Sequence, residues 1–110
     1  MKRKLTKLLD PVIAHTGQPI VDEFGAEMNA KGILSNILAM SDAGTDRAAM
    51  AVSLATRLYQ STDEEIILDD FEYRLCKDMI KEARLINLAR NACLSILDNA
   101  EEIDDTTKTE

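Results

Sequence analysis

The residues with the greatest chemical capacity in this chain lie between Ser61 and Met79, in the run STDEEIILDDFEYRLCKDM. Six carboxylates, Asp63, Glu64, Glu65, Asp69, Asp70 and Glu72, flank Ile66-Ile67-Leu68. Acid at this density could hold a hard cation, move protons or face a basic partner. Each use has a spacing requirement. An EF-hand loop needs oxygen ligands at positions 1, 3, 5 and 12 and a glycine at position 6. Counted from Asp63, the fifth position is Ile67 and the sixth is Leu68, so that pattern fails. A helical carboxylate metal site pairs Glu with His three residues on. The single histidine, His15, stands far away in a turn-like segment. A glycosidase-type acid/base pair needs a cleft able to grip a sugar, which a short chain with few aromatics is poorly equipped to build. No catalytic residue, metal ligand or cofactor is therefore expected.

A structural account covers most of the run. Asp69 and Glu72 have the D-x-x-E spacing of a capping box, and Leu68 and Tyr73 the spacing of a hydrophobic staple. Asp70 and Glu72 fall in a first helical turn, where the macrodipole stabilises each acid by roughly 0.3–1 kcal/mol. Asp63, Glu64, Glu65 and Asp70 remain as the candidate face for a basic protein partner. Cys76 and Cys93 sit among apolar neighbours at helical spacing and read as buried thiols. Nothing positions Cys76 against His15 for nucleophilic catalysis. No P-loop, GxGxxG, CxxC, HExxH or GxSxG occurs. The basic end MKRKLTK could touch phosphate or an acidic partner, but reads first as a solvated tail.

The elements that must carry these residues follow from periodicity. Residues 1–28 predict extended structure and turns, since Pro11 and Pro19 oppose a helix. Val12-Ile13-Ala14 and Ile20-Val21 flank the turn signature His15-Thr16-Gly17-Gln18-Pro19, and Asp22-Glu23-Phe24-Gly25 supplies a second turn. A small hairpin or meander resting on helices is the expectation. Asn29 is the N-cap of a first helix carrying Ile33, Leu34, Ile37 and Leu38. A second helix is predicted from near Thr45 to about Gln60, with Ala48, Ala51, Val52, Ala55, Leu58 and Tyr59 on one stripe. Glu65–Leu68 is a short β-branched segment, read as a strand or an extended staple. A third helix follows Asp69. The stripe shifts near Glu82-Ala83-Arg84, which predicts a separate fourth helix rather than one bent helix. No internal repeat is read.

These features give one domain over residues 1–100 and a disordered acidic tail over 101–110, EEIDDTTKTE. The fold class expected is mainly α (α+β): a compact bundle of about four short helices with an N-terminal β-hairpin or meander. The core is aliphatic, because the chain is 45% hydrophobic with no Trp. A formal net charge of -7 argues against direct nucleic-acid binding. No apolar run is long enough for a transmembrane helix, and the basic start lacks the apolar stretch of a signal peptide. Cytoplasmic location is the expectation. The apolar stripes exceed what one small monomer easily covers. Met50, Leu54 and Met79, at or beyond the stripe edges, are the candidate self-association residues of a homo-oligomer, a dimer first.

The order of segments also resembles small bacteriophage and prophage proteins. GQPIVDEFGAEMNAKGILSNILAM is similar to their G-x-P-I turn, second Gly turn and T-L-x-D-V-I-x-N-A-L helix, with Ile33, Leu34, Asn36, Ile37 and Leu38 at the helix positions. DRAAMAVSLATRLYQSTDEEIILDDFEYRLCKDMIKEA resembles K-x-x-x-Y-x-L-A-x-K-I … E-L-S-x-E-E-x-x-L-I-K, matching at Leu54, Ala55, Leu58, Leu68, Asp69, Phe71, Leu75 and Ile80. LINLARNACLSILDNAEE resembles the closing P-L-x-x-G-x-x-x-x-L-L-E. The likeness covers about residues 10–102 and consists of hydrophobic positions and turns. The chain departs from the pattern at Gly32 and near Asn91, where the closing Gly is replaced. The resemblance implies phage origin and action through protein contacts, either as an accessory protein or as a tail-assembly or head–tail morphogenesis factor. It carries no catalytic residue across.

Overall fold

Lys2–Leu5 forms strand β1, and it is the middle of a sheet rather than a free end. The computed structural model describes residues 2–103. Strands β2 (Ile66–Leu68) and β3 (Glu101–Ile103) pair with β1 on either side, both antiparallel. Arg3 stands opposite Leu68 on one side and Glu102 on the other. The basic N-terminal segment is thus not a solvated tail. Leu5 is fully buried and anchors the strand to the core, while Arg3 and Lys4 lie between acids. The acidic tail expected from residue 101 begins instead with a strand, because Glu101 and Glu102 find lysine and arginine across the ladder. Residues 104–110 lie outside the described residues.

The expected meander spans Pro11–Asn29, and it closes on itself. Ile13 bridges Pro19, Val21 bridges Glu27, and Pro11 bridges Asn29. Three backbone hydrogen bonds complete a ring, a β-triangle over residues 11–29: Val12 N–H donates to Met28 O (2.8 Å), Met28 to Ile20 O (2.9 Å) and Ile20 to Val12 O (2.9 Å). The donors are spaced by eight residues, which exposes an internal repeat that the linear reading overlooked. PVIAHTGQ (11–18) and PIVDEFGA (19–26) share Pro, two apolar residues and Gly at equal positions. Their turns are also alike. Ala14 N–H donates to Gln18 O and Asp22 N–H to Ala26 O, both at 2.8 Å. Gly17 and Gly25 each have φ +86, which side chains adopt at a cost. Gly17→Ala and Gly25→Ala are each expected to lower stability by about 1–2 kcal/mol. The double variant is expected to lose roughly the sum, as measured by urea unfolding. An unchanged midpoint would mean the triangle contributes nothing to the fold.

Four helices make up the rest of the regular structure among the described residues: α1 (Ala30–Met40), α2 (Ala48–Gln60), α3 (Asp70–Glu82) and α4 (Asn87–Asp98). Asn29 caps α1 as expected, its side chain accepting from Gly32 N–H at 2.8 Å. A Cβ at Gly32 would lie 3.3 Å from that same Asn29 oxygen, so the glycine leaves room for the cap. Helix α2 begins three residues later than the Thr45 expected, because Asp42–Arg47 is taken up by turns. The third and fourth helices are separate, as the stripe shift indicated.

Helix α1 packs on all three others. Six of its eleven residues are buried, including Ile33, Leu34, Ile37 and Leu38. This central position decides the fate of the proposed self-association residues. Leu54 and Met79 are each only 2% exposed and belong to the core. Their helices present them inward from two sides, so they offer no patch to another copy. Met50, at 39% exposure, is the one of the three that reaches the surface.

Candidate functional site

The acidic run is assembled by the start of α3 and by the loop that leads into β2. Asp69 accepts from Glu72 N–H at 2.8 Å, and Glu72 accepts from Asp69 N–H at 3.0 Å. The capping box predicted from D-x-x-E is complete. Glu72 also meets Arg57 at 3.1 Å, which ties α2 to the first turn of α3.

The remaining acids meet the basic strand. Arg3 pairs with Asp70 and lies 4.0 Å from Glu102, while its guanidinium stacks 4.3 Å from the Tyr73 ring centre. Lys4 lies 3.9 Å from Glu65 and 3.4 Å from Glu101. Across one sheet face the order is therefore Asp70, Arg3, Glu102, and across the other Glu65, Lys4, Glu101. The Arg3 guanidinium holds the Asp70 carboxyl below the usual carboxylate range. Of the four acids proposed to face a partner, Glu65 and Asp70 are thus engaged inside the chain. Asp63 and Glu64 stay exposed at the edge of a shallow hollow that also includes Lys4 and Arg57.

The cysteines are buried and free, as expected. Burial pushes the Cys76 thiol up to about 12, reinforced by the nearby Glu72 and Cys93, and pushes Cys93 up to about 11. At pH 8 neither is expected to react with a maleimide in the folded protein over an hour, and both should react promptly in urea. Prompt labelling of the native protein would mean that this part of the core opens readily.

A larger concavity lies elsewhere, in a place that the sequence does not mark. It is a groove of about 740 Å³ between the β-triangle, α1 and the α3–α4 corner. The ring residues Val12, Ile20 and Met28 form one wall, and Ile33, Ile37 and Met40 of α1 another. Leu85, Ile86 and Ala89 close the third side. The eight-residue repeat explains the first wall. Alternation along each extended segment turns Val12, Ile20 and Met28 toward the helices and leaves Ile13 and Val21 about half exposed. Met40 is 80% exposed and Ile86 62%, so the lips of the groove are apolar and accessible. Its charged groups, Asp42, Glu82 and Arg84, come from the turn after α1 and from the α3–α4 corner. Such a surface is suited to burying apolar side chains of a partner.

Among the described residues, no group of three or more His, Cys, Asp or Glu is arranged to hold a metal ion. No helix among them is long and apolar enough to cross a membrane. The chain matches no family model, no curated protein sequence and no solved structure.

Proposed function

We propose that this is a non-enzymatic phage or prophage accessory protein that acts by binding another protein in the groove between Met40 and Ile86. The observation that carries the reading is an apolar concavity whose lips are themselves apolar and exposed. A surface methionine at 80% exposure contributes little to folding, and two such residues facing one groove favour a contact surface. The resemblance to small phage proteins supports the origin and the mode of action. The groove, with the buried Met79 in its lining, replaces Leu54 as the apolar surface through which copies of the chain or a second protein would associate. Asp63 and Glu64, still exposed, would add steering toward a basic partner rather than affinity.

The test is light scattering on a size-exclusion column, with and without host-cell extract, on the wild type and on Met40→Asp and Ile86→Asp. Both sites are exposed, so both variants should stay folded: Met40→Asp, at the end of α1, should cost no more than about 1 kcal/mol, and Ile86→Asp, at the uncapped N-cap of α4, should gain about 0.5–2 kcal/mol. The complex or oligomer seen with wild type should weaken at least about tenfold in each variant, the loss expected of a charge placed in an apolar contact. Unchanged association in both variants would remove the groove from the mechanism.

A further inference from the structure

Strand β3 ends the sheet, and among the described residues no strand lies beyond it. Its far edge differs from the opposite one. At the β2 edge, Arg57 donates to the carbonyl of Ile67 at 3.4 Å, which occupies one edge acceptor. At β3, Glu101 and Glu102 are exposed and the strand's paired neighbour is β1. Alternate residues of such an edge turn N–H and C=O groups outward, ready to pair with an added strand.

Charge selects what can add. Each sheet face carries a row of acid, base, acid: Asp70 of α3, Arg3 and Glu102 on one, and Glu65 just before β2, Lys4 and Glu101 on the other, with the base–acid pairs of β1 and β3 directly opposite in the ladder. The Glu101 and Glu102 side chains remain 65% and 64% exposed although each faces a cation of β1. The next position in both rows is complementary to lysine or arginine. A second copy of β3 would set Glu opposite Glu, which destabilises a cross-strand pair. We infer that β3 is a docking edge for an extended basic segment of a protein partner, which adds as a fourth strand. Main-chain hydrogen bonds would supply its register, and Glu101 and Glu102 would choose its charge. β1, with its Lys2-Arg3-Lys4, is the chain's own example of a basic strand paired antiparallel with β3, on the opposite edge. The edge is separate from the groove, and either surface can fail without the other.

The probe is a blocked eight-residue peptide of alternating lysine and valine, titrated into the isotope-labelled full chain and followed by amide NMR. Saturable shifts centred on Glu101–Ile103 are expected. The same peptide N-methylated at every backbone amide keeps its charge but loses its donors, and should bind at least about tenfold more weakly. An alternating glutamate–valine peptide should not bind. Glu101→Gln and Glu102→Gln should each weaken the lysine peptide several-fold, with the fold checked by the shifts of α1 and α2. Shifts centred on Asp63–Glu65, or equal binding of the N-methylated peptide, would overturn the inference. Either result would reduce the interaction to charge attraction alone.

Discussion

Leu5→Ala lowers the unfolding free energy by about 2–5 kcal/mol, the range for a fully buried leucine whose cavity cannot collapse. The expectation rests on where β1 sits. Leu5 has no exposed surface, faces Ile66 across the ladder, and joins the core that holds Leu8, Leu68 and α1. The neighbouring Leu8 N–H donates to Glu64 O at 3.0 Å, and Lys31 N–H donates to Leu8 O at 3.0 Å. The segment therefore links the acidic loop, the sheet and α1. Lys4→Ala gives the contrast. It removes two partly exposed ion pairs at 3.4 and 3.9 Å and should cost no more than about 1 kcal/mol. Urea unfolding of both variants separates the two contributions. A Leu5→Ala midpoint close to wild type would mean that β1 is a dispensable flap. A larger loss for Lys4→Ala than for Leu5→Ala would mean that charge, not burial, holds the sheet.

What could be read from the sequence was local. Asn29 as a cap, the Asp69–Glu72 capping box and the stripes of α1 to α4 all depend on residues within a few positions of each other. The secondary structure and the mainly α class follow from them. β1 could not be read in that way. KRKL has no alternation of apolar and polar residues, and its partners lie more than sixty residues away along the chain. The acids of the opening run and the basic end were both visible, but their pairing with each other is a long-range fact. Leu54 and Met79 were misplaced for a related reason. A stripe drawn on one helix assumes one packing neighbour, and α1, packed on three helices, widens the buried face of each. The eight-residue repeat was present as Pro11 and Pro19, then Gly17 and Gly25. Its third unit keeps only the ring position, at Met28, before α1 begins, so along the chain the two copies look like two unrelated turns. The groove was not legible at all. Met40 is simply the last residue of a helix in the sequence, and becomes a lip only when the triangle and the α3–α4 corner stand opposite.

That corner is where the second large effect is expected. Helix α3 ends at Glu82, and the join to α4 contains no glycine to supply a left-handed cap. Ala83 and Ile86 are both extended. The last carbonyls of α3 are satisfied instead by Arg90 from the next helix. Its guanidinium donates to Ile80 O, to Lys81 O at 3.1 Å and to Ala83 O at 2.8 Å. A cation at a helix C-terminus is also favoured by the macrodipole. Arg90→Ala should therefore cost about 2–4 kcal/mol, since charge-assisted bonds to part-buried carbonyls are lost together. Arg90→Lys should recover less than half of that, because an ammonium cannot span three carbonyls as the planar guanidinium does. The same arginine braces the end of α3 and the start of the join that carries Leu85 and Ile86 into the groove. Arg90→Lys, still folded, should thus lose partner capture more than its stability loss accounts for. Met40→Asp should lose capture with a stability loss of no more than about 1 kcal/mol. If Arg90→Ala stays within about 0.5 kcal/mol of wild type, water replaces the guanidinium at those carbonyls without penalty. The corner then holds its shape through Leu85 and Ala89 packing alone.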